Sequence, residues 1–139
     1  MKLNLDDITF IIVTYKSENI IQNCLNSLPK NSKKIIIENS NNINLEKDLK
    51  SKYDNIEVII SNNIGMGAGN NLGLKACKTN YAFVLNPDTK LYSDTISKFI
   101  EGLNNVSEFT LASPLNDNCG SVAVSTSLFF PLVDLSKVT

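Results

Sequence analysis

The sequence predicts a single α/β domain with a mainly parallel sheet and helices on both faces. Short apolar runs rich in β-branched residues alternate with segments whose apolar residues recur at helical spacing. Such alternation is typical of parallel strands connected by helices. The chain has 139 residues, enough for one domain with a core and too few for two ordinary domains. We therefore treat residues 1–139 as one domain.

The apolar runs predict five strands. The runs are continuous rather than alternating, as expected for strands that are buried on both faces of a sheet. The predicted strands are residues 8–13, 34–37, 56–60, 81–85 and 109–112. After Pro114 neither period is clear, although 121–130 could form one more strand.

Three segments between these strands have helical spacing. Ser17 is placed to cap the first helix and Pro29 to end it, and Ser93 is placed to cap the third. The predicted helices are residues 20–28, 70–77 and 96–103.

Composition and charge exclude several classes of partner. A net charge of -1 gives no electrostatic reason to expect nucleic acid or an anionic membrane. No apolar stretch is long enough to span a bilayer, so no transmembrane segment is predicted. Asp6 and Asp7 interrupt the start of the chain before its first apolar run, which argues against a signal peptide. We therefore expect a cytoplasmic protein, or the cytoplasmic part of a larger one.

The chain has no histidine and only three widely spaced cysteines. The absence of histidine excludes Ser-His-Asp and Cys-His nucleophilic machinery. Cys24, Cys77 and Cys119 form no Cys-x-x-Cys pair, so we expect reduced thiols. Acid–base chemistry must therefore fall to carboxylates, and any metal should be a hard cation bound by oxygen.

Four strand ends carry polar or glycine-rich segments. The segments are Thr14 and Tyr15, Glu38 and Asn39, residues 63–69, and residues 86–89. Taken singly, each could be an ordinary strand exit or turn, and Asp88 could simply cap the next segment. The carboxyl ends of parallel strands share one edge of the sheet, which is where open α/β sheets bind ligands. The convergence of the four segments therefore predicts one binding site, with Asp88 placed like a metal or phosphate-site residue.

The glycine segment is not a dinucleotide fingerprint. A Gly-x-Gly-x-x-Gly match starting at Gly65 or Gly67 would need glycine at Asn70 or Leu72. Lys75 is not in a Gly-Lys-Ser/Thr sequence either, so a phosphate-binding P-loop is excluded. We interpret the glycines as allowing positive φ and close backbone approach, with Asn70 at the start of the following helix. A tight turn without a ligand is the alternative.

These segments together resemble one family. Residues 11–18 (IIVTYKSE), 35–40 (IIIENS), 63–73 (NIGMGAGNNLG) and 86–89 (NPDT) resemble family 2 glycosyltransferases. The last two segments are similar to the rhamnosyltransferase-like branch, which has Asn-Pro-Asp-Thr in place of the usual Asp-x-Asp. The resemblance covers about 8–120 and implies a GT-A fold, the Rossmann-like fold of nucleotide-diphospho-sugar transferases.

The resemblance also implies a UDP- or dTDP-linked sugar as donor. Thr14, Tyr15 and Glu18 would lie around the base and ribose. Glu38 would replace, with one extra methylene, an aspartate that accepts the N3–H of a pyrimidine. Asp88 would bind Mg²⁺ or Mn²⁺ bridging the diphosphate. The residues assigned to the nucleotide sugar are Thr14, Tyr15, Glu18, Glu38, Asn39, Asn63, Gly65, Gly69, Asn70 and Asn86.

The acceptor half of such an enzyme is not evident. Inverting transfer to an acceptor hydroxyl needs a carboxylate base, but Asp94, Asp117 and Asp134 match no family motif. No catalytic residue is assigned, and the domain is expected to be truncated. The sequence therefore leaves two hypotheses. One is a metal-assisted glycosyltransferase of polysaccharide biosynthesis, acting on a glycan or lipid-linked acceptor. The other is a non-catalytic nucleotide-sugar-binding module that needs a partner or the missing half, and uncovered apolar surface makes a homo-oligomer plausible. The glycine spacing disfavours a third hypothesis, an NAD-dependent dehydrogenase.

Overall fold

A computed structural model describes residues 2–107, 109–112 and 132–137. Within these residues the strands form one six-stranded sheet in the order β3-β2-β1-β4-β6-β5. The strands are β1 (Ile8–Thr14), β2 (Lys33–Glu38), β3 (Ile56–Ile60), β4 (Tyr81–Leu85), β5 (Leu111–Ala112) and β6 (Leu132–Asp134). β1 to β4 are mutually parallel, whereas β6 runs antiparallel to both β4 and β5.

Helices cover both faces of this sheet, which confirms the predicted fold class. The helices are α1 (Ile21–Ser27), α2 (Ile43–Lys52), α3 (Met66–Ala76) and α4 (Thr95–Asn104). Buried residues of α1, α2 and α4 share one apolar core with Phe10, Ile12 and Phe83. Residues of α3 pack on the other face, against Ile11 and Ala82. None of the helices in the described part of the chain is long and apolar enough to cross a membrane.

The order of the strands reverses at β1. The chain proceeds from β1 to β2 and β3 on one side, and β4 returns to the other side of β1. Thr14 is in register with Glu38, and Ile12 is in register with Leu85. The exits of β1, β2 and β4 therefore lie side by side at a topological switch point, where open α/β sheets bind their ligands.

Several predicted helix ends were wrong. Ser17 does not cap α1, because its hydroxyl donates to the carbonyl of Tyr15 at 3.1 Å and the helix begins only at Ile21. Asp94, rather than Ser93, occupies the N-cap position of α4. α2 was not predicted, since Leu45 and Leu49 are its only buried residues and give a weak pattern.

α3 begins at Met66, four residues before the predicted start, so Asn70 lies inside the helix. Helix interiors disfavour glycine, but packing decides here. A Cβ on Gly69 would lie 2.9 Å from Val13 Cγ1, and one on Gly73 would collide with Ile11 Cγ2. The helix can approach β1 this closely only because both residues lack a side chain.

The last part of the sheet also differs from the prediction. β5 is shorter than the predicted strand 109–112, and it pairs antiparallel to β6 rather than extending the parallel sheet. β6 was not predicted; its three residues are too few to show a period. The possible strand at 121–130 lies outside the described residues.

Candidate functional site

Hydrogen bonds join the exits of β1, β2 and β3. The backbone N–H of Asn39 donates to the carbonyl of Thr14 at 2.8 Å, and Asn63 N–H donates to the carbonyl of Asn39 at 2.7 Å. The Asn39 side chain, only 2% exposed, accepts from Ile64 N–H at 3.0 Å and donates to the carbonyl of Gly65 at 3.4 Å. The buried side-chain amide of Asn39 thus links the glycine segment to the end of β2.

Glu38 is fully buried at the end of β2, and its carboxylate is bound by its own loop. Glu38 Oε1 accepts from the hydroxyl of Ser40 at 2.5 Å, and Oε2 accepts from the backbone N–H of Asn42 at 2.5 Å. Ser40 N–H lies 3.2 Å from both oxygens. These donors compensate the burial of the charge. The carboxylate therefore organises the loop that leads into α2.

Glu18 is held from the same loop. The side-chain amide of Asn42 donates to Glu18 Oε1 at 2.5 Å, while Asn42 Oδ1 accepts from Leu45 N–H at 3.0 Å and caps α2. Glu18 and Asn42 line an open cavity of about 630 Å³ beside the exits of β1 and β2, together with Lys16, Ser40 and Lys47.

Two predicted residues from the β1 exit face different surroundings. Thr14 is buried, and its hydroxyl donates to the carbonyl of Ile37 at 3.4 Å, so its side chain supports the sheet edge. Tyr15 is 47% exposed, and the ammonium of Lys16 lies 5.4 Å from its ring centroid. Tyr15 therefore exposes its aromatic ring at this edge, whereas the side chain of Thr14 is buried.

Of the glycines in this segment, Gly65 has the positive φ that the sequence predicted, whereas the other two are helical residues of α3. Gly65 has φ 83°, and Asn63 has φ 36°. A Cβ on Gly65 would meet open space, so its backbone can be approached closely. Gly69, in contrast, is buried against Val13, and Asn70 is half-buried on α3.

The turn at 86–89 follows β4 on the other side of β1. Thr89 N–H donates to the carbonyl of Asn86 at 3.1 Å, which closes the turn and leaves Asp88 exposed. Asp88 makes no hydrogen bond or ion pair with the other described residues. Thr89 is fully buried, and its hydroxyl has no hydrogen-bond partner within the described part of the chain.

Two side chains of α1 form hydrogen bonds with the main chain at and just after this turn. Cys24 Sγ donates to the carbonyl of Asn86 at 3.7 Å, and Leu91 N–H donates to the hydroxyl of Ser27 at 3.0 Å. Burial, with the nearby charge of Asp88, raises the pKa of Cys24 to about 12. Cys24 is therefore a neutral, unreactive thiol, as the cysteine pattern suggested.

The match to known proteins identifies the family. Residues 9–126 match the family model described as glycosyl transferase family 2. The chain belongs to this family. The resemblance inferred from the sequence motifs is thereby confirmed, and the four strand exits described above lie within the matched part.

This family 2 domain is similar in sequence to a curated protein. It is 28% identical over 128 residues to the low-salt glycan biosynthesis hexosyltransferase Agl10 of Haloferax volcanii, covering 88% of this chain and 41% of that protein. The chain therefore spans about two fifths of the length of this curated relative.

Solved structures share its fold. S. aureus TarS 1-349 is 21% identical, with a TM-score of 0.57 over 73% of this chain and 32% of that chain. Mannosyltransferase PcManGT from Pyrobaculum calidifontis, in complex with GDP-Man and Mn²⁺, is 12% identical, with a TM-score of 0.60 over 83% of this chain and 38% of that chain. These likenesses, with the sheet order, support the GT-A fold.

No catalytic base was assigned from the sequence, and the structure describes two of the three acids that match no family motif, Asp94 and Asp134. Asp94 forms an ion pair with Lys98 at 2.6 Å, and that hydrogen bond lowers the pKa of Asp94. Asp134 pairs with Tyr81 at the opposite edge of the sheet and accepts from the hydroxyl of Ser136 at 2.6 Å. Asp117 lies outside the described residues.

Sequence reasoning did not find Asn42, Cys24 or Ser27. Asn42 could have been found, because an asparagine directly before a helical segment is a capping signal. Cys24 and Ser27 gave no such signal, since their partners in the 86–91 segment are more than 60 residues away along the chain.

Proposed function

We propose that this domain binds a nucleotide-diphosphate sugar at the carboxyl edge of its sheet and transfers the sugar to an acceptor hydroxyl. The observation that carries the proposal is the meeting of three strand exits at the switch point of a family 2 domain, with the exit of β3 bonded to that of β2. Two of these exits are organised around Glu38 and Asn39, and a third presents the exposed Asp88. Reaction with inversion, and a UDP- or dTDP-linked donor, complete the proposal.

The nucleoside would lie beside the exits of β1 and β2. Tyr15 offers an exposed ring for contact with the base, and Glu18 offers a carboxylate to hydroxyl groups. Support for a nucleotide ligand comes from the solved neighbours, since S. aureus TarS 1-349 has been crystallised with UDP-GlcNAc and with UDP. Because Glu38 is bound by its own loop, we propose that it supports the nucleoside site without reading the base.

The diphosphate would lie beside the 86–89 turn, where Asp88 could help to hold Mg²⁺ or Mn²⁺. Asp88 is exposed and forms no ion pair with another described residue, which suits a metal ligand, and oxygen donors suit these cations. The described residues contain no group of three acidic, cysteine or histidine side chains that could hold a metal alone. Diphosphate oxygens and water would therefore have to complete the coordination. Such a cation would neutralise charge developing on the leaving diphosphate.

One observation favours the second candidate, a binding module that needs a partner or further chain for transfer. Asp94 is paired with Lys98, and Asp134 lies at the opposite edge of the sheet, so neither is assigned as a base. A glycan or lipid-linked acceptor would then meet its catalytic base elsewhere. Transfer or donor hydrolysis by the 139-residue chain would refute this candidate.

Calorimetric titration with UDP, dTDP and GDP, with and without Mn²⁺, tests the proposed function. We expect binding that Mn²⁺ strengthens, with this strengthening lost in Asp88→Asn. Asp54→Asn removes a similarly exposed aspartate from the loop before β3, at the opposite edge, and should leave binding unchanged. Failure of the unaltered chain to bind any of the nucleotides would refute the proposal. Metal-dependent binding that survives in Asp88→Asn would refute the assignment of Asp88.

A further inference from the structure

Asn42 connects three groups that are otherwise separate. Its backbone N–H donates to the buried carboxylate of Glu38, its Oδ1 accepts from Leu45 N–H, and its Nδ2 donates to Glu18. The two side-chain partners fix the orientation of the amide, because Leu45 N–H can only donate and an ionised carboxylate can only accept. The amide group therefore cannot flip without losing both bonds.

The bonds of Asn42 leave half of the Glu18 carboxylate available. Oε1 is engaged at 2.5 Å, whereas Oε2 has no hydrogen-bond donor among the described residues. Lys16 and Lys47 line the same cavity, but neither forms an ion pair with Glu18 in this part of the chain. Glu18 is thus held at one oxygen and presents the other at the edge of the cavity.

The free oxygen limits what it can recognise. A carboxylate oxygen accepts hydrogen bonds and donates none, so it suits a group with hydroxyl donors rather than phosphate oxygens. Within a nucleoside diphosphate, the ribose hydroxyls are such donors. The cavity beside β1 and β2 is where the proposed function puts the nucleoside.

We propose that Asn42 is a positioning residue that fixes Glu18 to accept from the ribose hydroxyls of the donor. The proposal rests on the proposed function and adds to it a residue that distinguishes ribose from deoxyribose, which favours a UDP-linked over a dTDP-linked donor. An oriented carboxylate recognises a hydroxyl without the cost of immobilising a long side chain on binding.

The test uses Asn42→Asp, which keeps an acceptor for the cap of α2 and replaces the donor to Glu18 by a like charge. Asp and Asn are comparable N-caps, so the helix should persist. Asn44→Asp is the matched control, because it adds the same charge two residues further along and Asn44 makes no hydrogen bond with the described residues. Dissociation constants for UDP and 2′-deoxy-UDP are measured at one Mn²⁺ concentration, with melting temperatures alongside.

We expect the unaltered chain to bind UDP about tenfold more tightly than 2′-deoxy-UDP, as for one hydrogen bond to a charged group. In Asn42→Asp the UDP affinity should fall about tenfold and the preference for ribose should disappear. Asn44→Asp should keep the preference. Adding Glu18→Gln to Asn42→Asp should restore part of it, since the glutamine amide can donate to the new aspartate.

Three results would overturn the proposal. The first is an unchanged ribose preference in a folded Asn42→Asp chain. The second is loss of the preference in Asn44→Asp, which would indicate a general effect of charge. The third is absence of nucleotide binding by the unaltered chain, which would refute the proposed function as well and is thereby distinguished from the first two. If Asn42→Asp does not fold, Asn42→Ser provides a neutral cap, and an unchanged preference in that variant would equally overturn the proposal.

Discussion

The two sides of the switch point are built differently. On the β2 side, Glu38 is fully buried and Ser40 and Asn42 bind both of its oxygens. On the β4 side, Asp88 is exposed and bound by no other described residue. Residues of its own loop satisfy the first carboxylate, whereas none of the described residues satisfies the second. We therefore expect the β2 side to be formed before the donor binds and the β4 side to be completed by it.

The β4 side is nevertheless held at its backbone. Cys24 and Ser27 contact main-chain groups of Asn86 and Leu91, on either side of Asp88. The main chain of the turn is thus fixed by α1 while the acidic side chain stays free to take an ion. This division leads to three predictions, in order of decreasing effect.

The largest effect is expected for Glu38→Ala, which leaves the buried donors of Ser40 and Asn42 without their acceptor. Loss of a buried, hydrogen-bonded charge should lower the free energy of unfolding by about 3 kcal/mol. Urea denaturation measures this change. Asp88→Ala is the comparison on the other side and should leave the unfolding midpoint unchanged. Equal destabilisation by the two substitutions would contradict the contrast between the buried Glu38 and the exposed Asp88.

Ser27→Ala should have an intermediate effect, because it removes the acceptor for Leu91 N–H beneath the turn. We expect a loss of about 1 kcal/mol in the free energy of unfolding, together with weaker Mn²⁺-dependent binding of UDP. Ser97→Ala is the control. The Ser27 hydroxyl also donates to the carbonyl of Cys24 at 2.7 Å. The exposed Ser97 of α4 makes the equivalent bond to the carbonyl of Asp94 at 2.9 Å. If Ser97→Ala weakens UDP binding as much as Ser27→Ala does, the bond between Ser27 and Leu91 does not account for the effect.

The smallest effect concerns the pH dependence of stability. Cys24 has its pKa raised from 9.0 to about 12 by burial and by Asp88, so the unfolded chain releases this proton first as the pH rises. Stability from this thiol is therefore complete below pH 9.0 and declines from there towards about 12. Between pH 8 and 10 the free energy of unfolding should decline by roughly 1 kcal/mol more in the unaltered chain than in Cys24→Ala. Parallel pH profiles would show that Cys24 is not buried as described.

Much of the sheet could be predicted because its strands carry a local signal. β1 to β4 lie within about a residue of the predicted runs, since strands buried on both faces are continuously apolar. α2 and the start of α3 could not be predicted in the same way. α2 buries only Leu45 and Leu49, and the glycines of α3 are helical because of what they pack against.

The candidate site, like the fold, could be predicted from the sequence only in part. The alternation of strands and helices along the chain and the polar residues at the strand ends predicted the edge at which Tyr15, Glu18 and Asp88 lie. The roles of the individual acids depend on distances that no local pattern contains. Ser40 and Asn42, which follow Glu38 in the chain, donate hydrogen bonds to its carboxylate, so this acid is bound by its own loop.

The sequence alone therefore determined the family, the four parallel strands and the edge that carries the polar residues, because apolar strand runs and motif order are local properties of the chain. Tertiary structure decided which groups at that edge remain available. Within the described residues, Glu18 has one carboxylate oxygen without a donor because Asn42 from another loop binds only the other. Asp88 remains exposed because α1 holds the backbone of its turn rather than its side chain. Hydrogen bonds between segments distant in sequence make these choices, and only the folded chain brings those segments together.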